Sequence, residues 1–271
     1  MKQFIRVFLT AFFFVFNLYA SNIYVYIYDD LGSCEECVQE TTKSIKEQLP
    51  SKYIIKRIDH KSVIEGEWTK DAALFIMPGG KAGPYGMLLN GQGNEVIKSY
   101  VEQGGSFLGL CAGAYYAGSF VEFAKNTSIE VVGSRELAFF KGTVVGPALA
   151  PYDYYSESGA RAASINVHDL LPRDHEYVLY YNGGGYFRDA ANINHTKVIA
   201  SYKSLEPEQP AIIECEVQRG VAILSGAHFE CPSSFLIRVS GSEQYSLCSL
   251  EEHRKKLIRQ ILSRLRLEVK S

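Results

Sequence analysis

Cys111 is the residue whose type and surroundings best fit covalent chemistry. It follows the apolar run 106–108, stands between Gly109 and Gly113, and precedes the helix-prone run 114–117. This order is typical of a nucleophile elbow, a sharp strand-to-helix turn with a reactive side chain at its apex. A thiol held there faces outward at the positive end of the helix, which favours the thiolate. The alternative is a small buried cysteine in a strand.

His228 is the histidine best placed to act as a base for such a nucleophile. It comes just after the apolar run 221–225, and Glu230 stands two residues further on. In an extended segment, positions i and i+2 point to the same side. Glu230 can therefore orient the imidazole while His228 takes the thiol proton. A hydrogen-bonded structural histidine at a strand end remains the alternative.

Gly79 and Gly80 follow another buried strand pattern, residues 75–78. Glycine tolerates positive φ, so this loop can turn its backbone N–H groups inward. Together with the N–H of Ala112, they would stabilise the charge that develops on an attacked carbonyl oxygen. An ordinary glycine-rich turn is the other interpretation.

These residues need a scaffold that brings distant strand ends together, and the first half of the chain predicts one. Apolar runs predict strands over 23–28, 53–58, 72–77 and 106–110, and helical patterns fall at 34–49 and 94–103. Alternation of this kind predicts an α/β fold with a doubly wound, mostly parallel, flavodoxin-like sheet. Ligands bind such sheets beyond the carboxyl ends of the strands, where Cys111 and Gly79–Gly80 are expected.

The second half is predicted to elaborate one edge of that sheet with antiparallel strands. Short β-prone runs occur at 143–145, 163–167, 177–181, 198–202 and 211–216. A last core strand is predicted at 220–225. A terminal amphipathic helix follows at 249–265, with an apolar stripe on one face.

Residues 1–20 are predicted to be a signal peptide. Lys2 and Arg6 precede a short apolar run, and Ala20 fits a cleavage position. We therefore expect an exported protein, periplasmic or secreted, with one domain over 21–271 and no stable membrane insertion after cleavage. With 28 basic and 30 acidic residues the net charge is −2, which does not suggest a nucleic-acid partner. Nothing in the sequence predicts the oligomeric state.

Cys34 and Cys37 form a C-x-x-C pair at the predicted start of the first helix. Three interpretations stay open: a disulfide, two packed free thiols, or a redox pair. Two cysteines without a second pair at matching spacing are weak grounds for zinc. We expect neither a metal nor a cofactor.

The order Pro-Gly-Gly loop, Gly-x-Cys-x-Gly elbow and His-x-Glu resembles the class I glutamine amidotransferases. The segments 77–80, 105–115 and 181–185 resemble more closely the amidotransferase-like domain at the N-terminus of some biotin–protein ligases. This resemblance covers essentially all of residues 21–271. It implies Cys111 as nucleophile, His228 as base, Glu230 as its orienting acid, and Gly79, Gly80 and Ala112 as oxyanion donors.

One departure from the amidotransferase pattern bears on the substrate. Glutaminases usually carry a glutamine soon after the second elbow glycine, whereas this chain has Ala114, Tyr115 and Tyr116. We therefore expect a cysteine hydrolase that cleaves a carbonyl–nitrogen bond in a small-molecule or peptide amide other than glutamine. The alternatives are a non-catalytic binding module on the same scaffold and, more weakly, a disulfide exchanger that uses Cys34 and Cys37.

Overall fold

The computed structural model describes residues 23–153, 156–168, 177–239 and 246–270. The predicted signal peptide, residues 1–20, lies outside them, so export stays a prediction. No helix in the described part of the chain combines the length and apolar character that crossing a bilayer requires.

Thirteen strands are present within these ranges. In chain order they are β1 (Ile23–Tyr28), β2 (Tyr53–Ile58), β3 (Ala72–Met77), β4 (Ser106–Leu110), β5 (Gly118–Phe123), β6 (Val131–Ser134), β7 (Phe140–Gly146), β8 (Arg161–Val167), β9 (Tyr177–Tyr181), β10 (Tyr186–Phe187), β11 (Thr196–Tyr202), β12 (Gln209–Val217) and β13 (Gly220–Ser225).

Six α-helices accompany them. They are α1 (Glu35–Gln48), α2 (His60–Glu65), α3 (Ala82–Leu89), α4 (Gln92–Glu102), α5 (Ala112–Ala117) and α6 (Leu247–Arg264). The side chain of Cys34 caps α1 by accepting the N–H of Cys37. Proline at position 50 cannot continue that helix, so the chain turns there into β2.

Nine strands form the main sheet, in the order β2-β1-β3-β4-β13-β12-β11-β8-β9. The neighbours from β2 to β13 pair in parallel, and the neighbours from β13 to β9 pair antiparallel. Alternate residues of β1 enter two different cores: Val25 and Ile27 pack with α1 and α6, whereas Tyr26 and Tyr28 pack with α3 and α4. Helices therefore cover both faces, which confirms the predicted α/β fold class.

The predicted role of the second half is partly wrong. β8, β9, β11 and β12 do extend the main sheet antiparallel. The run 143–145 instead lies in β7, within a separate four-stranded sheet of order β10-β7-β5-β6. The reason is local: β5 begins at Gly118, directly after α5, and α5 itself begins beyond the carboxyl end of β4. The start of β5 therefore lies outside the main sheet, where β5 and β7 pack against α5.

Candidate active site

Cys111 lies between the end of β4 and the start of α5, as an elbow requires. Its backbone has φ 47° and ψ −101°, a strained combination for a non-glycine residue. The N–H of Cys111 donates to Ser225 O at 2.8 Å, which fixes the elbow to β13. A Cβ atom at Gly113 would lie 2.1 Å from Met77 O, so that position has no room for a side chain.

His228 and Glu230 follow β13, which is the neighbour of β4 in the sheet. His228 Nδ1 lies 2.7 Å from Glu230 Oε1, and both side chains are buried. The imidazole and Cys111 border the same cavity, and the thiol is one of the groups that raise the pKa of His228. The structure thus joins His228 to Glu230 and places Cys111 on the same cavity as His228; that the three act as a catalytic triad stays a prediction.

The environment of His228 favours its protonated form. Burial by itself lowers the pKa of the imidazole, but the Glu230 carboxylate and the interaction with Cys111 outweigh it and hold that pKa well above its usual value. Glu230 Oε2 is buried without a hydrogen-bond partner among the described residues. A buried carboxylate in this position depends on the imidazolium for charge compensation.

Gly80 and Ala112 meet Cys111 at the wall of one cavity. Gly80 has φ +144°. It lies opposite Ser33 in an isolated antiparallel bridge, in which the N–H of Cys34 donates to Gly79 O. In the part of the chain that the structure describes, the N–H groups of Gly80 and Ala112 donate to no other residue. Both are therefore available to an oxyanion.

Gly79 is placed differently from Gly80. A Cβ atom on it would lie 3.0 Å from Cys37 Sγ and 3.1 Å from His228 Cε1. The absence of a side chain therefore lets the imidazole and Cys37 approach the loop. Its predicted role as an oxyanion donor stays a prediction.

Two cavities open from Cys111. The larger, about 390 Å³, is bordered by His228, Asn182 and Tyr180 and also reaches the C-x-x-C pair. The smaller, about 40 Å³, is bordered by Tyr115, Phe123 and Arg135 among others. Gly80, Cys111 and Tyr152 border both, so the sulfur lies where the two cavities meet.

Three further thiols surround the imidazole. Cys34 and Cys37 are free, and a disulfide between them stays a prediction. The hydrogen bond with Cys37, helped by the charge of His228 and opposed by burial, lowers the pKa of Cys34 to about 6. Cys231 also interacts with His228, and burial raises the pKa of Cys231 to about 12.

One group of side chains has the chemistry to hold a metal, among the residues with described positions. Ligand atoms of His228, Glu230 and Cys231 lie within 4.8 Å of one another, and all three residues are buried. Because His228 and Glu230 also form the triad hydrogen bond, a metal would compete with that bond. The expectation that the protein needs no metal stays a prediction.

Some residues of the site carried no individual signal in the sequence. Cys111 Sγ lies 3.7 Å from Asn182 O, and Tyr115 donates to Gly183 O at 3.0 Å. Tyr115 thus connects α5 to the loop that follows β9. The segment 181–185 did mark this loop as part of the resemblance, but nothing indicated which of its atoms face the nucleophile.

Arg254 is a second residue that the sequence did not single out. It is buried at 3% exposure, and its Nη1 donates to Phe229 O at 2.8 Å. The same nitrogen reaches Glu230 O and Ser44 Oγ. The loop that carries Glu230 is therefore held from α6 and α1.

Comparison with known proteins agrees with this architecture. The family model described as "Biotin-protein ligase, N terminal" matches residues 23–271. A biotin–protein ligase of Schizosaccharomyces pombe is 35% identical over 76% of the chain, but the chain spans only 33% of that relative's length. An uncharacterized protein of Chlamydia muridarum is 32% identical, over 88% of the chain and 95% of that protein. In fold, PurLQS from Thermotoga maritima matches with a TM-score of 0.59 and 14% identity, over 90% of this chain and 99% of that one.

Proposed function

Because the chain belongs to the family of biotin–protein ligase N-terminal domains, with an amidotransferase-like scaffold, we propose that it is a cysteine hydrolase that cleaves a carbonyl–nitrogen bond. The observation that carries the proposal is the grouping of Cys111 with the His228–Glu230 pair. Beside them lie the N–H groups of Gly80 and Ala112, which donate to no other described residue. A nucleophile, a proton carrier with its orienting acid, and an oxyanion site are the parts that acyl transfer needs.

The first half of the reaction forms a thioester. The Cys111 thiolate attacks the carbonyl carbon, and the N–H groups of Gly80 and Ala112 stabilise the charge on the carbonyl oxygen. The carbon–nitrogen bond then breaks. The His228 imidazolium gives its proton to the departing nitrogen, while Glu230 keeps the ring in place.

The second half releases the acid. Neutral His228 takes a proton from a water molecule, whose oxygen attacks the thioester carbon. The carbon–sulfur bond breaks, the Cys111 thiolate leaves, and His228 is again protonated. Glu230 accepts a hydrogen bond from Nδ1–H of His228 throughout. The proton that moves during the reaction is therefore carried on Nε2.

Substrate choice belongs to the same proposal. Tyr115 narrows the space beyond the elbow, because its ring borders the small cavity and its hydroxyl is held by Gly183 O. We expect glutamine to be a poor substrate and another small-molecule or peptide amide to be preferred. Export through residues 1–20 is also proposed, and the N-terminal sequence of the protein recovered from its native cell would test it, with cleavage after Ala20 expected.

The test is thiol reactivity combined with turnover. Purified protein is screened against amides, and adducts on Cys111 are followed by mass. Cys111→Ala is expected to abolish both adducts and turnover while leaving the circular dichroism spectrum unchanged. His228→Ala is expected to slow alkylation of Cys111 by iodoacetamide at neutral pH, because the cation beside the sulfur is lost.

The exposed Cys248 serves as an internal reference in the same digest. If Cys111 labels no faster than Cys248, and His228→Ala changes nothing, the cleft is a binding site without catalysis. Turnover that persists in Cys111→Ala would likewise contradict the hydrolase.

A further inference from the structure

We propose that Arg135 binds an anionic group on the acyl portion of the substrate, so that the substrate class is amides in which one or two carbons separate the carbonyl from a carboxylate, a shorter acyl part than that of glutamine. This inference rests on the proposed function and names the substrate of the same site. It concerns the small cavity beside Cys111, which the catalytic steps above do not use.

The small cavity is lined by apolar side chains, tyrosine rings and glycine backbone, and Arg135 is the charged residue in that lining. Its walls include Tyr115, Val121 and Phe123. A volume of about 40 Å³ leaves room for about three water-sized groups. A carboxylate on one or two carbons matches that size, whereas a bulky side chain does not.

Arg135 is a cation that the described protein leaves without a counter-charge. No ion pair includes it among the residues that the structure describes, and its buried Nε has no hydrogen-bond partner within them. Its Nη1 donates to the neighbouring Ser134 O at 3.0 Å. The carboxylate of the neighbouring Glu136 is directed elsewhere, since its Oε2 accepts from Gly91 N–H and from Asn94 Nδ2.

Arg135 is half-buried as a residue, but its Nε is buried without a partner among the described residues, which is unfavourable for a guanidinium donor. Burial lowers the pKa of Arg135, and the phenol of Tyr116 opposes that effect. Leaving a buried donor unpaired costs stability, whereas a planar carboxylate accepts two parallel bonds from a guanidinium. An anion in this cavity would thus relieve the cost that the free protein bears.

The position of the cavity fixes which part of the substrate the anion belongs to. His228, which protonates the leaving nitrogen, borders the larger cleft. Ala112 and Arg135 border the smaller cavity. With the carbonyl carbon at Cys111, the amine part therefore occupies the larger cleft and the acyl part extends toward Arg135.

The experiment compares two alkylating reagents of similar size, iodoacetate and iodoacetamide, which differ in charge. Rates are read at Cys111 by peptide mass and expressed as the iodoacetate-to-iodoacetamide ratio relative to the ratio at Cys248. In the unaltered protein the relative ratio is expected to exceed one. In Arg135→Gln it is expected to fall about tenfold, the effect of one charged hydrogen-bonding contact.

Two variants distinguish Arg135 from general charge and from misfolding. Lys81→Gln removes the lysine of the larger cleft and is expected to leave the ratio unchanged. Arg135→Lys keeps the charge without the planar fork and is expected to give an intermediate ratio. The circular dichroism spectrum of each variant is compared with that of the parent.

The outcomes are distinct. An unchanged ratio in Arg135→Gln, with Cys111 still reactive, overturns the anion site and leaves the hydrolase standing. A fall in Lys81→Gln in place of Arg135→Gln also overturns it. Arg135 further borders an outer cavity along α3 that does not include Cys111; an anion bound there would leave the ratio at Cys111 unaltered. If neither reagent modifies Cys111, the hydrolase and the anion site fall together.

Discussion

Cys34 is the thiol of the cleft with the most unusual environment at the scale of single residues. Its sulfur caps α1, interacts with Cys37 and feels the charge of His228, and its pKa is lowered to about 6. A thiol with such a pKa is largely thiolate at neutral pH and is correspondingly reactive. Cys111, the proposed nucleophile, therefore shares its cleft with a second thiol that we expect to be reactive.

Alkylation of Cys34 against pH tests this environment. We expect its rate to reach half of its maximum near pH 6. In Cys37→Ala the hydrogen bond that contributes most to the lowering is lost, and the midpoint should rise toward about 8.5, the usual value for cysteine. Cys248, which is exposed, supplies the unperturbed profile in the same sample. A midpoint at Cys34 that does not move in Cys37→Ala would contradict the assigned cause.

The sequence predicted the triad residues but not their neighbours, for a reason visible at this scale. His228 and Glu230 are two positions apart, and local extended geometry alone brings their side chains together. Arg135 borders a cavity with Cys111, and Asn182 O lies 3.7 Å from its sulfur, only because separate segments fold over the elbow. Arg135 and Asn182 are distant from Cys111 along the chain, so no spacing of residues in the sequence predicts that they come together.

Gly113 shows how tightly one element depends on a single missing side chain. Gly113→Ala would place a methyl group against Met77 O, so β3 or the elbow must move. We expect the free energy of unfolding to fall by about 2 kcal/mol or more, as measured by urea denaturation.

Gly83→Ala is the matched control for that substitution. Gly83 lies in α3, and a Cβ there meets no atom within 4 Å. Alanine favours a helix over glycine, so the control should be neutral or stabilising by up to about 1 kcal/mol. Equal effects in the two variants would mean that the elbow has room to relax.

At the scale of elements, strands were easier to predict than short helices. The continuous apolar runs of β1, β3, β4 and β13 predicted the observed bounds, because burial on both faces leaves a direct mark on composition. The helix α3 contains two glycines and a proline, and α5 has only six residues. Packing, rather than intrinsic propensity, holds such helices, and the sequence pattern does not report packing.

Arg254 connects distant parts of the whole molecule to the site. From α6 it binds the backbone of the Phe229–Glu230 loop and Ser44 of α1. Arg254 also forms an ion pair with Glu251. Burial raises the pKa of Glu251, but the hydrogen bonds from Arg254 and from Ser233 N–H outweigh burial and lower that pKa to about 2. Helices α1 and α6 thereby hold the loop that carries Glu230.

Arg254→Leu should lower the free energy of unfolding by about 3–5 kcal/mol, because a buried network loses its cation. Lys255→Ala, on the next residue of the same helix, removes only a partly exposed pair with Glu47 and should cost about 1 kcal/mol at most. Urea denaturation of both variants at neutral pH makes the comparison. A similar loss in both would show that Arg254 is not specially placed.

The pairing of β4 with β13 has a consequence for how the site can be lost. Nucleophile and base stand on neighbouring central strands, tied by the bond from Cys111 N–H to Ser225 O. Central ladders of this kind open only when the entire sheet opens. The amide proton of Cys111 should then exchange with deuterium no sooner than those of the core. We therefore expect the Cys111 elbow and the His228 loop to separate only when the whole domain unfolds, and not by a local opening.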